Sequence, residues 1–217
     1  MSISEATCWT VIRGAAAGEG EQRAEFARRY EGVIRAYLGA RWRGSGLTGE
    51  LEDAVQDVFV DCFKGALNRA DPDRPFQAFL YGITKNVARR IEHDRKRAGL
   101  RLESSFELPS AERTLSEVFD EAWARALMKQ AAIVQRLEAR DEQARQRIEL
   151  LRLRFQEGLP IRKIAERWGA DAAKLHHEYA HARDEFRQAL QQVVAEHHSG
   201  QPGEIARECA RLISLFS

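Results

Sequence analysis

Apolar side chains recur at helical spacing along almost the whole chain. Residues three or four positions apart lie on one face of an α-helix, so this spacing predicts amphipathic helices. It predicts them over residues 4–17, 50–67 and 76–97. A further helix between the first two carries Phe26, Tyr30, Val33, Ile34, Tyr37 and Arg41. Because runs of Val, Ile and Thr are few, we expect an all-α fold without strands.

The breaks between these patterns divide the chain into two parts. Residues 99–116 contain Ser-Ser and Pro-Ser pairs and show no sustained period, which is typical of a linker. Thr114 and Glu117 then have the spacing of a capping box at the start of a new helix. We therefore predict two helical domains, residues 1–98 and 117–217, joined by a flexible linker over residues 99–116.

The second part contains a pattern typical of a helix-turn-helix at about residues 160–190. A short helix carries Ile161, Ile164 and Trp168 on one face, and Gly169 follows, where a positive φ is free of strain. Asp171 is placed to cap the next helix. Such a second helix can enter the major groove of DNA, although many units of this kind mediate only protein contacts. The chain ends with a short amphipathic closing helix.

The outward face of that second helix is rich in histidine. Its candidate base-contacting side chains are Lys174, His176, His177 and His181. Because histidine titrates near neutral pH, such contacts would be sensitive to pH. His177 and His181 lie four residues apart, but no third ligand accompanies them, so we expect no metal site.

An acidic stripe lies opposite the apolar face of the predicted helix over residues 50–67. It consists of Asp53, Gln56, Asp57 and Val60. Most acidic stripes are simply solvated, but an apolar residue in the middle of one suits a basic and apolar partner helix. The pattern alone leaves both interpretations open.

The following helix has a basic face. Residues 85–101 carry seven Lys or Arg and two acids, although the net charge of the chain is only +1. Lys85, Asn86, Arg89 and Arg90 could hold a phosphate backbone. Phe79 and Tyr81 precede them and could stack on unpaired bases, although Phe at helical spacing is more often in the core. Tyr81 lies off the apolar stripe, so we expect its ring to be exposed.

Several classes of protein are not favoured by the sequence. The three cysteines are far apart and odd in number, which fits a reducing compartment. No secretory signal or membrane-length apolar run is evident, so we expect a cytoplasmic protein without a membrane partner. No catalytic constellation or phosphate-binding loop appears, so we expect neither an enzyme nor a cofactor.

Three segments together resemble the bacterial sigma factors. Residues 52–60 (EDAVQDVFV) resemble the polymerase-docking helix, often written D-L-x-Q-E-x-F. Residues 76–86 (FQAFLYGITKN) resemble the promoter-melting segment, F-x-x-W-L-x-x-I-x-x-N, with Phe79 in place of the usual Trp. Residues 158–183 resemble the terminal helix-turn-helix. The compact layout is similar to that of the extracytoplasmic-function group of the sigma-seventy superfamily.

Further segments resemble one branch of that group, common in planctomycetes and related bacteria. Residues 7–12 (TCWTVI) resemble a T-x-W-S-x-V start, and residues 119–124 (FDEAWA) resemble an F-D-x-x-W-A helix. The segment from Gly203 onward resembles a short closing helix. The resemblance thus extends over nearly the whole chain.

The resemblance implies partners and residue roles. Asp53, Gln56, Asp57, Phe59 and Val60 would lie on or under the surface that meets the β′ clamp of core RNA polymerase. The polymerase β flap, promoter DNA and an anti-sigma factor are the other partners implied.

It also implies a division of the DNA contacts. The loop over residues 68–74 would read a flipped base of the minus-ten element, and Lys85, Asn86, Arg89 and Arg90 would hold its strand. The histidine-rich face would meet the minus-thirty-five element. The family more often has Lys or Arg on that face.

Two other functions remain compatible with the sequence. A conventional dimeric helix-turn-helix regulator would bind duplex DNA without polymerase, at a palindromic site. A helical adaptor would use its helix-turn-helix only for protein contacts. Binding to duplex DNA in the absence of polymerase would distinguish the regulator from a sigma factor.

Overall fold

The computed structural model describes residues 8–98, 114–197 and 202–214, and these residues form helices joined by short turns, without a strand. The predicted all-α class is confirmed for them. The predicted first turn of the N-terminal helix, most of the predicted linker and the end of the closing helix lie outside the described residues. The α-helices are α1 (Cys8–Ala17), α2 (Gly20–Arg41), α3 (Leu51–Asp61), α4 (Phe76–Arg97), α5 (Leu115–Glu138), α6 (Glu142–Phe155), α7 (Ile161–Trp168), α8 (Ala172–His197) and α9 (Pro202–Ser214).

Local sequence signals set several helix ends. The Thr114 side chain accepts from the Glu117 backbone N–H while the Glu117 carboxylate accepts from the Thr114 N–H, so the capping box is formed. Asp171 Oδ1 accepts from the Lys174 N–H at 2.8 Å and caps α8. Gly169 ends α7 with φ of 61°, the left-handed conformation expected at that turn.

The third helix ends earlier than predicted. The expected helix reached residue 67, but α3 stops at Asp61 and a π-helical turn, Cys62–Ala66, follows it. Gly65 in that turn has φ of 122°, a conformation that L side chains rarely adopt. The apolar period continues through the turn, so the spacing alone could not locate this change of direction.

The hydrophobic core runs across both parts of the chain. One large cluster of buried residues includes side chains from α1 to α5, from the C-terminal end of α8 and from α9. Helix α5 packs against α2 and α8, so the segments on either side of residues 99–113 share one core. The two-domain arrangement therefore stays a prediction, and the described residues show its two halves in contact.

A second, smaller cluster holds α7 against its neighbours. Its apolar side chains come from α6, α7 and the start of α8: Leu150, Leu153, Ile161, Ile164, Ala165 and Leu175. Because α8 contributes its first half to this cluster and its last turns to the large one, the helix connects the two cores. The outward face of its first half is left exposed.

Candidate protein and nucleic-acid interfaces

The acidic stripe of α3 lies on the surface, as its spacing predicts. Asp53 and Gln56 are exposed, and Val60 keeps 41% of its surface accessible although it is apolar. Phe59 lies beneath them, half-buried, with its ring centroid 6.2 Å from that of Phe26. The stripe therefore combines exposed polar groups and an exposed valine on a helix that the core supports from below.

Asp57 joins the acidic stripe to the basic helix. Arg90 of α4 places Nη1 2.7 Å from Asp61 Oδ2 and Nη2 3.6 Å from Asp57 Oδ2. Hydrogen bonding to Asp61 raises the pKa of the Arg90 guanidinium. Asp57, expected to meet polymerase, and Arg90, expected to meet DNA, thus contact each other. Part of the charge of Arg90 is therefore neutralised within the protein.

Glu92 of α4 is paired with two residues at the end of α2. Glu92 accepts from Arg41 Nε at 2.6 Å and from Trp42 Nε1 at 2.9 Å. Burial raises the pKa of Glu92, but these hydrogen bonds outweigh it and hold the pKa below its usual range. The exposed Arg89 and Lys96 and the half-buried Lys85 form a row of cations along α4, and Glu92 lies close enough to Lys96 to interact with it electrostatically.

The two candidate stacking residues of α4, Phe79 and Tyr81, are both half-buried. Phe79 is half-buried against Phe76, with ring centroids 5.7 Å apart, which fits the core interpretation. The expectation of an exposed Tyr81 ring is wrong. Tyr81 is half-buried between Tyr37 and Phe119, at centroid distances of 5.4 and 5.1 Å. Phe119 belongs to α5, so the spacing within α4 could not reveal this contact.

A cavity of about 530 Å³ opens between the π-helical turn and α4. This volume lies within the range of about 300–1,000 Å³ common for small-ligand sites. The turn at Gly65 and the middle of α4 supply its walls, so the early end of α3 creates it. The sequence predicts a DNA contact for Asn86 and, through the loop over residues 68–74, for Arg69. It does not predict one for Lys64. The lining residues are Asp61, Lys64, Gly65, Ala66, Arg69, Ile83 and Asn86.

The cavity presents hydrogen-bonding groups and one apolar wall. Lys64 and Arg69 bring positive charge, Asp61 brings a carboxylate that is paired with Arg90, and Asn86 can both donate and accept hydrogen bonds. Ile83 supplies the apolar surface. Such a mixture suits a planar polar group attached to an anion, because the edge needs hydrogen bonds, the faces need apolar contact and the anion needs cations.

The histidine-rich face of α8 is exposed along its length. Lys174, His176, His177 and His181 are all exposed, and His177 Nε2 lies 3.1 Å from His181 Nε2. The neighbouring Glu178 is paired with Arg147 of α6, whose Nη1 lies 3.3 Å from Glu178 Oε2. Among the residues that the structure describes, no three His, Cys, Asp or Glu side chains are grouped to hold a metal ion.

The sequence of the chain was compared with protein-family models and with curated proteins. No protein-family model matches the chain, and no curated protein matches its sequence. None of the helices in the described ranges is both long and apolar enough to cross a membrane.

Proposed function

We propose that this protein is a sigma factor that directs core RNA polymerase to specific promoters for transcription initiation. One observation carries the proposal. An acidic stripe with an exposed apolar centre and a cationic row beside a polar cavity lie on adjacent helices, α3 and α4, joined by the turn at Gly65. A protein that must hold a polymerase and an unpaired DNA strand at one place needs these two surfaces together.

The stripe on α3 supplies the chemistry for docking on polymerase. Asp53, Gln56 and Val60 form an apolar centre with a polar rim, which favours a partner helix carrying basic residues around an apolar contact. The packing of Phe59 on Phe26 holds the helix in place, so little ordering cost accompanies binding.

The cationic row and the cavity supply the chemistry for a single DNA strand. Arg89 and Lys96 can neutralise successive phosphates and release counterions. The cavity can take one base turned out of the stack, with Asn86 and Arg69 at its polar edge and Ile83 against its face. Removing a base from the stack costs a few kcal/mol, and these contacts offset that cost.

The exposed face of α8 is the proposed contact to duplex DNA. Its four cationic or titratable side chains lie on a helix held by the small apolar cluster, so their spacing is fixed. Only one of these four side chains is a Lys and none is an Arg, so we expect low affinity for duplex DNA from this face alone. Attachment to polymerase would compensate by supplying effective concentration.

Transcription with purified components tests the proposal. Core polymerase, genomic DNA of the source organism and the full chain would be combined, and the 5′ ends of the transcripts sequenced. We expect new start sites that share an upstream sequence. We also expect them to disappear with Arg89→Ala but to persist with Arg145→Ala, a matched change of an exposed arginine on α6, away from the proposed contact surfaces.

Two outcomes would contradict the proposal. The first is transcription that is unchanged by adding the protein. The second is specific binding to a palindromic duplex in the absence of polymerase, which would instead favour a conventional helix-turn-helix regulator.

A further inference from the structure

Two histidine rings meet edge to face on the exposed side of α8. His177 and His181 have ring centroids 4.5 Å apart and an interplanar angle of 90°. Their Nε2 atoms are 3.1 Å apart, and both side chains are exposed. Residues at positions i and i+4 of an α-helix are neighbours on one face, so the helical backbone keeps the two imidazoles together. Two ring nitrogens are thus brought to one place on the protein surface.

The helix beneath this pair is fixed at several points. Asp171 caps its first turn, and Leu175 belongs to the small apolar cluster with α6 and α7. Arg147 of α6 lies 3.3 Å from Glu178 and 2.6 Å from Glu185. These contacts hold α8 before, between and after the two histidines. The separation of the two rings is therefore set before any ligand arrives, which lowers the cost of binding one.

The distance between the two nitrogens fits a metal ion. An ion placed about 2.0–2.1 Å from each nitrogen, the length of a zinc–imidazole bond, would make an angle of about 100° at the metal. That angle lies between the right angle of square-planar coordination and the wider tetrahedral angle. Neutral imidazole is a ligand for zinc, copper and nickel. The two nitrogens are therefore at the separation that neighbouring ligands of one ion require.

The remaining coordination positions of such an ion would be open. The acids that follow on α8, Glu178, Asp184 and Glu185, are all paired with arginines. Within the described ranges, no third His, Cys, Asp or Glu joins the pair. The expectation of no metal site rested on the lack of a third ligand. An ion held by two imidazoles can nevertheless complete its shell with water or with an anionic oxygen, as ions in open sites do.

An ion at this place would change the charge of the proposed DNA-binding face. Lys174 is the one Lys among the four candidate contacts on that face, and none of the four is an Arg. A divalent ion would add two positive charges one turn away from Lys174. Phosphate oxygens can occupy the open positions of such an ion, because metal ions act as Lewis acids toward them. The ion would thus supply the phosphate contact that the side chains supply weakly.

We propose that His177 and His181 bind a divalent transition-metal ion of the zinc and nickel class, and that this ion gives α8 a contact to a DNA phosphate. The ion site depends only on the geometry of the pair, whereas the DNA contact rests on the proposed function. His176 lies outside the site, because neighbouring residues of a helix face different directions.

Titration with Ni²⁺ tests the ion site. Ni²⁺ alone would be added to the full chain in a calorimeter, at a pH where free histidine is neutral. We expect at least about tenfold weaker binding with His177→Gln or with His181→Gln, because each change leaves one ligand of a chelating pair. His176→Gln, an exposed histidine of the same helix, is the matched control and should bind Ni²⁺ as wild type does.

The exposed positions of these histidines make the variants readable. Helix content by circular dichroism should be the same in all of them, because none of the three side chains is buried. Wild-type protein that binds no Ni²⁺ would overturn the site. Equal Ni²⁺ affinity of wild type and His181→Gln, or an equal loss with His176→Gln, would do the same.

Duplex binding without polymerase tests the role of the ion. A fluorescent duplex of mixed sequence would be titrated with the full chain, with Ni²⁺ or with EDTA, and followed by anisotropy. We expect about tenfold tighter binding with Ni²⁺ at low salt. The slope of log K against log salt should become steeper by about 0.9, which corresponds to one added phosphate contact. Mg²⁺ is the control ion and should give no gain, because it prefers oxygen ligands to imidazole.

The variants separate the possible outcomes. The gain with Ni²⁺ should vanish in His177→Gln, and a gain that persists there would overturn the DNA contact. Ni²⁺ binding that leaves the duplex affinity of wild type unchanged would overturn that contact too. Failure of both titrations would overturn the whole inference and leave the sigma function standing, since neither contains polymerase. Failure of promoter-dependent initiation, with both titrations as expected, would overturn the sigma function and not the ion site.

Discussion

At the scale of single residues, Tyr30 has the most concentrated set of contacts. Its ring stacks on Trp123, and its hydroxyl connects Cys8 with His197. The sequence marks Tyr30 only as one member of an apolar stripe. Its partners could not be predicted, because they lie 22 residues before it and 167 after it.

Tyr30→Phe should destabilise the protein while preserving the stack. The change leaves His197 Nε2 as a buried acceptor without a donor, which costs about 1–3 kcal/mol. Urea unfolding would measure this change, with Tyr179→Phe on the half-buried face of α8 as the control. Equal stability of the Tyr30→Phe variant and wild type would show that the hydroxyl is not buried in a hydrogen-bonded chain.

The buried His197 side chain should make the stability of the protein depend on pH. Burial lowers its pKa from 6.5 to about 4, so between these values the unfolded chain binds more protons and stability falls as the pH falls. The groups around it are Cys8, Tyr30, Arg29 and Glu196, and burial raises the pKa of Glu196, which acts in the opposite sense.

His197→Gln keeps an acceptor near the Nε2 position and removes the titration. Between pH 6.5 and 4 its free energy of unfolding should depend on pH less steeply than that of wild type. The expected difference is up to about 1.4 kcal/mol per pH unit, or one proton. Chemical denaturation across this range would measure it, and parallel profiles would place a protonatable His197 at the surface.

At the scale of elements, the sequence predicts the positions of helices well and the contacts between them poorly. The bounds of α4 agree with the predicted range of residues 76–97, because Pro75, the apolar period and the basic end all indicate the same helix. The end of α3 and the inward turn of Glu92 were missed. The end of α3 depends on the positive φ of Gly65, and the inward position of Glu92 depends on its hydrogen bonds with Arg41 and Trp42 of another element.

The backbone conformation of the π-helical turn can be tested at Gly65. Gly65→Ala should lower stability by about 1–3 kcal/mol, because alanine is strained at φ of 122°. The cost is in the backbone alone, since the nearest atom to an added Cβ is Asn68 Nδ2 at 3.9 Å.

The matched control is Gly82→Ala in the interior of α4, where an added Cβ meets no atom of the described residues within 4 Å. We expect that change to stabilise the helix by about 0.5–1 kcal/mol. Thermal unfolding would compare the two variants. A neutral Gly65→Ala would contradict the positive φ.

The stripe on α3 predicts a charge-sensitive partner. Asp53→Arg should weaken binding to core polymerase about tenfold, equivalent to about 1.4 kcal/mol, because it reverses an exposed charge in the polar rim. Helix content by circular dichroism should not change. Glu142→Arg, an exposed reversal on α6, is the control. Equal loss of binding in both variants would indicate a general charge effect rather than a docking surface.

At the scale of the whole molecule, the main difference from expectation lies in how the halves associate. The sequence locates the apolar faces of α2 and α5, and Phe119, Trp123 and Leu127 are buried as their spacing predicts. Periodicity shows that a face is buried but not against which helix. A stretch without period, residues 99–116, likewise leaves open whether the segments on its two sides pack together.

Permanganate footprinting of melted DNA tests the sigma assignment most directly. With core polymerase and the full chain, thymines just upstream of a mapped start site should become reactive. Arg69→Ala with Asn86→Ala should abolish this reactivity without preventing polymerase binding, because both residues line the cavity. Thymines that stay unreactive with wild-type protein, or that react equally with the double variant, would contradict the account.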